Sequence, residues 1–251
     1  MRIIRDRQLW WVVGLAALAL ITRIGALPRE IVSWDESTFI LMAQDVLRGH
    51  LPYVYLFDNK PPGMFFTLAG VMALFGQSLL VVRLFGAFCV FAIGVLGFAL
   101  ARRFAAVTPS GLAALALVAA TSNSFGLYAS TELPAIALLL IALWLMLARG
   151  QSLAAAFAAG LCAMAAVLFR TNLMLPGLAL AGLYAMGALC PRLRVLRFGL
   201  LAFAAGFVLP LVGLIWLYRA HGQGDLLWLA AVRVPLSYAE NQHSLVDNLI
   251  E

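Results

Sequence analysis

The chain has 251 residues, of which 64% are hydrophobic and only 11% charged, and its mean hydropathy is +0.99. A soluble domain is about a quarter charged; a water-soluble fold cannot hide this much apolar surface, so the solvent must be lipid. The net charge of +6 does not mark a nucleic-acid binder, because the basic residues sit in short groups between apolar runs, the pattern that encodes membrane topology.

Arg2, Arg5 and Arg7 precede an apolar run over 9–27. No small-x-small cleavage site follows it, only Thr22-Arg23-Ile24-Gly25, so it is expected to remain as a first helix rather than leave as a signal peptide. The loop from Pro28 to Lys60 is too long for a simple turn. Within it, Asp35 to Arg48 carries Phe39, Ile40, Met42, Ala43, Val46 and Leu47 on one face of a short amphipathic helix. Gly49 stands where such a helix ends, and the helix is expected to lie in the interface plane.

A short apolar run, 62–77, starts at Pro61-Pro62-Gly63 and ends at Gly76-Gln77-Ser78. The runs 79–101, 109–130, 132–149, 152–170, 173–190 and 197–218 are, like 9–27, about long enough to cross a core of ~30 Å at ~1.5 Å per residue. Backbone groups in lipid must pair internally, so all of them are expected to be helical. The expected fold class is an all-α integral membrane protein, with about seven transmembrane helices plus interfacial helices in the first outer loop. Residues 1–218 form its polytopic domain, and 219–251 read as an outer-facing loop or tail.

Orientation follows from the arginines. With the N-terminus cytoplasmic and 62–77 not crossing, Arg2, Arg5, Arg7, Arg102, Arg103, Arg149, Arg192, Arg194 and Arg197 all fall on the cytoplasmic side, as the positive-inside rule requires. The expected location is therefore the cell's inner membrane, multi-pass. Asp6 is then the only cytoplasmic acid, and the others face out, among them the adjacent pair Asp35-Glu36 and Glu132.

Cys89, Cys162 and Cys190 lie within or at the end of apolar stretches without CxxC spacing and read as packers. His50, His221 and His243 lack the spacing of a helical metal site. No metal site is expected.

The polar residues at the outer helix ends carry the chemistry. Asp35 and Glu36 repel each other beside an apolar surface, which favours general-base behaviour, although acids in a first helical turn also serve as caps. Lys60, the chain's single lysine against sixteen arginines, sits where a loop meets the membrane. It can pair with a lipid phosphate or simply snorkel among headgroups. Glu132 opens a span ahead of Pro134, which also fits a helix start. Arg170 and Arg83 stand at outer span ends, as phosphate partners or as anchors. Trp34, Tyr53 and Tyr55 can line a sugar site or form an interfacial aromatic belt.

Taken in order, Trp34-Asp35-Glu36-Ser37-Thr38-Phe39, Gly49-His50-Leu51-Pro52-Tyr53 and Asp58-Asn59-Lys60-Pro61-Pro62-Gly63 resemble the first outer loop of the GT-C glycosyltransferases. The nearest branch holds the protein O-mannosyltransferases and the lipid A aminoarabinose transferase. Leu74-Phe75-Gly76, Val82-Arg83-Leu84, Leu100-Ala101-Arg102-Arg103 and Glu132-Leu133-Pro134 continue the pattern. The resemblance implies sugar transfer from a polyprenyl-phosphate donor to a lipid, glycan or protein acceptor among the membrane lipids. It makes Asp35 the base, with Glu36 and Glu132 as further acids, and Lys60, Arg170 and Arg83 partners of the donor phosphate. It implies no cofactor and leaves a divalent cation open. Such relatives carry several more spans and often an outer C-terminal domain, so this chain is expected to be an N-terminal portion.

Two other functions compete: a transporter or flippase of lipid-linked sugars, and a non-catalytic assembly partner. Ion-coupled transport calls for ionisable groups deep in the membrane. The stretches 84–101, 109–130, 133–148, 153–169, 173–190 and 198–218 contain no Lys, Asp, Glu or His.

Overall fold

The computed structural model describes residues 2–28, 30, 33–121, 128–149, 152–189, 196–234 and 237. Regular structure among these residues is helical throughout, the arrangement that satisfies backbone groups without water. The elements are α1 (Arg2–Ile24), α2 (Trp34–Leu47), α3 (Gly63–Phe75), α4 (Leu79–Ala101), α5 (Val107–Ala120), α6 (Glu132–Arg149), α7 (Leu153–Phe169), α8 (Met174–Leu189), α9 (Leu196–Ala220) and α10 (Gly224–Trp228). A 3-10 turn, Thr171–Leu173, leads into α8, and a π turn, Leu229–Arg233, follows α10. The stretches 122–127, 190–195 and 238–251, which include Cys190, Arg192, Arg194 and His243, lie outside the described residues.

Three helical segments are long and apolar enough to cross a membrane: Leu79–Ala101, Glu132–Arg149 and Gly199–Ala220. At ~1.5 Å per residue they reach roughly 35, 27 and 33 Å, against a core of ~30 Å. The apolar part of α1 (Gln8–Ile24), α5 and α7 are shorter, as is α3. The run expected over 109–130 appears as α5 over Val107–Ala120, its remainder falling partly outside the described residues. Along α9, Leu201, Val208, Leu209, Val212 and Trp216 are all exposed. A helix that is apolar on its outer face needs lipid there, not water.

Proline marks where several of these helices begin. Pro109, Pro134 and Pro176 are each the third residue of α5, α6 and α8. There the missing N–H costs no intrahelical bond.

The contacts fix how the helices run. Leu15 of α1 meets Gly94 of α4, while Arg83, near the start of α4, reaches the carbonyls of Ala26 and Leu27 just beyond α1; α1 and α4 are antiparallel. Arg23 at the end of α1 reaches Thr121 at the end of α5, so those two are parallel. Gly86 of α4 packs on Ala129 just before α6, and Glu132 at the start of α6 pairs with Arg170 at the end of α7. Tyr184 of α8 packs in a tilted ring contact on Phe203 of α9. The ends of α1, α5 and α7 and the starts of α4, α6 and α8 therefore gather at one end of the bundle. The end of α9 joins them, because Tyr218 donates to the Pro52 carbonyl at 3.1 Å.

This geometry settles what α3 does within the fold. Gly63 at its start lies against the backbone of Leu168, near the end of α7. Three residues after its last turn, α4 begins at the same end. Both termini of α3 thus belong to one end of the bundle, and the helix lies along that end. Its buried Met64, Phe65, Leu68 and Met72 pack with Phe39, Met42 and Ala43 of α2 and with Tyr53 and Tyr218. A second core, with Leu15, Val90, Ile93 and Val118, joins α1, α4 and α5. A third, rich in alanine, joins α6 to α9. There Gly160 and Gly206 let the backbones of α7 and α9 touch, a close approach that small residues permit between apolar helices.

Candidate functional site

Every ion pair among the described residues lies at that one end. The opposite ends of α4 and α6 carry Arg102, Arg103 and Arg149.

The first group is built on α2 and the loop behind it. α2 begins at Trp34, and the hydroxyls of Ser37 and Thr38 donate back to the Trp34 carbonyl. Asp35 in this first turn is 56% exposed by side chain, and its Oδ1 accepts from Lys60 Nζ at 2.9 Å. Asp58 Oδ1 stands 3.5 Å from the same ammonium. The Phe39 ring lies 5.2 Å from it, within the range of a cation–π contact. Tyr53 fixes the backbone here by donating to the Lys60 carbonyl at 2.6 Å.

Tyr53 is buried, with its ring edge-on to Phe65 and beside Phe57 and Tyr218. It holds φ +75°, a left-handed conformation that costs a non-glycine residue of order 1 kcal/mol and persists where surrounding contacts enforce it. Burial pushes its phenol well above the ordinary value, and the nearby Tyr218 and Asp58 push the same way. It is a strut of the loop, enclosed by its neighbours, rather than a wall open to a ligand. Trp34 and Tyr55, by contrast, are exposed. Tyr55 packs tilted against His50, ring centres 4.4 Å apart, and His50 Nδ1 meets Asp45 Oδ1 at 2.8 Å. This pair closes α2, where Gly49 takes φ +92° as a C-terminal glycine does.

The second group is buried. Arg83 Nε donates to Glu36 Oε1 at 3.2 Å and Nη2 to Glu36 Oε2 at 2.9 Å, with both side chains almost wholly enclosed. The same guanidinium binds the carbonyls of Ala26, Leu27 and Glu30. A planar fork suits such bidentate work. Glu36 therefore differs from its neighbour: its carboxylate is shut away from solvent and used on both oxygens. Arg83 is likewise engaged inside the protein, not presented to a phosphate outside.

The third group joins α6 and α7. Arg170 pairs with Glu132, and Thr131 bridges them by donating to Glu132 Oε2 at 3.3 Å. Both ionic side chains are partly exposed, at 39% and 35%.

An apolar cleft of about 780 Å³ is lined by the chain neighbours of Lys60 and Arg170, though not by those two residues themselves. Pro61 and Pro62, which follow Lys60 directly, form one wall; Met164 and Val167 of α7 and Leu214 and Ile215 of α9 form others. Arg219, Asp225 and Thr171 supply its polar parts. No group of three or more His, Cys, Asp or Glu among the described residues could hold a metal ion.

Two residues escaped the sequence reading. Asp58 was visible only as part of a motif. Arg23 is buried and donates to the Thr121 carbonyl at 3.1 Å and hydroxyl at 3.2 Å. A cation there complements the C-terminal end of α5, and an arginine inside an otherwise apolar run was the available signal.

The fold and this end define a class: an all-helical protein with membrane-length apolar helices and its ion pairs gathered at one end. No protein-family model, curated protein or solved structure matches the chain.

Proposed function

We propose that the protein is a membrane glycosyltransferase of the GT-C type, moving a sugar from a polyprenyl-phosphate donor to an acceptor hydroxyl at the non-cytoplasmic face. Seven helices cross the membrane in this scheme, α1 and α4 to α9, while α2 and α3 lie at the outer surface. The N-terminus is cytoplasmic, and the membrane is the inner membrane of the cell.

One observation carries this function. The exposed carboxylate of Asp35 meets the ammonium of the chain's single lysine, Lys60, at 2.9 Å, and Lys60 directly precedes the prolines that wall an apolar cleft. An anionic amphiphile needs that combination: a cation for its phosphate, apolar volume for its chain and a base beside the reacting carbon.

Asp35 takes the proton of the acceptor hydroxyl. The oxygen attacks the anomeric carbon, the bond from that carbon to the phosphate oxygen breaks, and the polyprenyl phosphate leaves with the electron pair. Lys60 balances the charge growing on the leaving phosphate, as preorganised donors do best in partly dry sites. Arg170, paired with Glu132, is a further, partly exposed cation at this end, and Glu132 orients the acceptor. Glu36 and Arg83 hold α2 in place instead of touching substrate. Trp34 and Tyr55 offer exposed ring faces to the sugar.

The test is transfer of labelled sugar from polyprenyl-phosphate donors by the purified protein in lipid nanodiscs. Transfer that is lost in Asp35→Asn, with insertion unchanged, supports the function. Transfer by Asp35→Asn at the wild-type rate removes Asp35 as the base.

A further inference from the structure

We infer that Asp58 is the positioning residue for Lys60: it is the second seat of the ammonium, taken up when Asp35 is released to act as base. This deepens the glycosyltransferase reading and rests on it.

Two carboxylates share one ammonium, and they do so unequally. The near partner, Asp35, is the exposed one; the far partner, Asp58, has a side chain only 10% exposed. Asp58 Oδ2 is buried and has no hydrogen-bond partner. Its other oxygen, Oδ1, is the one that faces the ammonium, and a buried carboxylate so sparsely bonded gains from a close cation. The surroundings restrict where the ammonium can go. Tyr53 ties down the Lys60 backbone, and the Phe39 ring flanks the side chain. A shift of well under 1 Å would bring Nζ from 3.5 Å of Asp58 to the ~2.8 Å of a close charge-assisted bond.

The chemistry needs such a seat. While Lys60 rests on Asp35, the ammonium occupies Oδ1 and only Oδ2 is left to take a proton from an acceptor. Once Asp35 does receive one, it is neutral and no longer balances the ammonium. The ammonium then needs another anion to hold it in place beside the leaving phosphate. Asp58 is that anion: 3.5 Å from the ammonium, it keeps Lys60 aimed and separate from the base.

Because Lys60 is the only lysine in the chain, its reactivity can be read directly. The measurement is the acylation rate of Lys60, by peptide mass spectrometry, in phosphatidylcholine vesicles with and without polyprenyl monophosphate. Without polyprenyl monophosphate, Asp58→Asn is expected to raise the rate about threefold, because the amine is then held by one carboxylate instead of two. Asp58→Glu, which keeps the charge, is expected to restore the wild-type rate. With the lipid phosphate, the wild type is expected to be protected, and Asp58→Asn to need about tenfold more lipid for equal protection. Equal rates in Asp58→Asn and the wild type without polyprenyl monophosphate would overturn the role given to Asp58. Failure of polyprenyl monophosphate to protect the wild type is a different result, which counts against the donor site while the comparison in phosphatidylcholine alone still decides Asp58.

Discussion

Arg83 grips both carboxylate oxygens of Glu36 across 47 residues of sequence, in a site closed to solvent. The residue before it on α2, Asp35, points its carboxylate outward to Lys60. One turn of helix thus divides two adjacent acids between two jobs. The inward acid nails α2 to α4 and, through the Arg83 bonds to Ala26, Leu27 and Glu30, to the chain leaving α1. The outward acid is free to do chemistry because its neighbour bears the anchoring.

Breaking one side of that buried pair leaves an uncompensated charge, at a cost of about 3–5 kcal/mol. Glu36→Ala and Arg83→Ala are each expected to lower the melting temperature of the detergent-solubilised protein sharply. The double substitution is expected to lower it by less than the sum, since the second change removes the orphaned charge. Strictly additive losses in thermal melts would show that the two residues do not act as a pair.

Lys60 is expected to act through charge and reach together. Lys60→Ala removes charge-assisted bonds worth about 1.5–3 kcal/mol, which corresponds to a rise of roughly tenfold to a hundredfold in the KM for a polyprenyl-phosphate donor. Lys60→Arg keeps the charge but replaces a compact ammonium by a planar fork, and is expected to recover donor binding in part while transfer stays slow. A donor KM unmoved by Lys60→Ala would take Lys60 out of the site.

How much of this was legible before the fold was known depends on what each residue's neighbours were. The bounds of α4 and α6, 79–101 and 132–149, follow from apolar runs with polar ends, because lipid forces each run to close its own hydrogen bonds. The placement of α3 at one end was legible only through the arginines, since a thirteen-residue apolar helix does not announce by composition whether it crosses. The split between Asp35 and Glu36 was not legible. Both are acids in a first helical turn, and which one faces Arg83 depends on how α2 rolls against α4. Tyr53 was read with the surface aromatics Trp34 and Tyr55, because a loop tyrosine near a membrane has no signature for burial. Its partners, Phe65 and Tyr218, lie 12 and 165 residues away.

Gly63 is the tightest point of the Lys-Pro-Pro-Gly stretch. A Cβ there would stand 2.5 Å from the Leu168 carbonyl oxygen, a backbone atom that cannot swing aside. Gly63→Ala is therefore expected to push α3 off α7, with a loss of about 1–3 kcal/mol, and to move Lys60 away from the cleft behind Pro61. Gly70 meets nothing within 4 Å, and Gly70→Ala serves as the control. Thermal melts of the two variants in the same detergent make the comparison; equal stability would mean that α3 and α7 are not in backbone contact.

Tyr53 gives a pH signature whose sign is fixed. Its folded pKa lies above the ordinary tyrosine value of about 10, chiefly through burial. Above about pH 10 the unfolded chain loses a proton that the folded chain keeps, so the unfolded state binds fewer protons and stability falls as pH rises. Below that range the residue contributes no pH dependence. The wild type is thus expected to lose melting temperature more steeply than Tyr53→Phe between about pH 9.5 and 11.5. At neutral pH the order is reversed: Tyr53→Phe leaves the Lys60 carbonyl without its donor and costs about 1 kcal/mol. Parallel melting curves across the alkaline range would place the phenol in water.

The orientation of the whole assembly is open to one direct measurement. Single cysteines at positions 35, 60 and 102, in a variant lacking Cys89, Cys162 and Cys190, can be probed with a membrane-impermeant maleimide on intact cells or sealed vesicles. Positions 35 and 60 are in ion-pair contact, so they share a compartment whatever the sidedness. Position 102 lies at the far end of α4 from Arg83, 19 residues or roughly 28 Å along the axis, close to the thickness of a hydrocarbon core. Labelling of 35 and 60 from outside, with 102 reached only after the membrane is opened, is the expected pattern. It would put the acid–base cluster where a lipid-linked sugar in the outer leaflet can reach it. Labelling of 102 from the same side as 35 would mean that α4 does not cross, and the proposed transfer chemistry would lose the membrane boundary on which it is arranged.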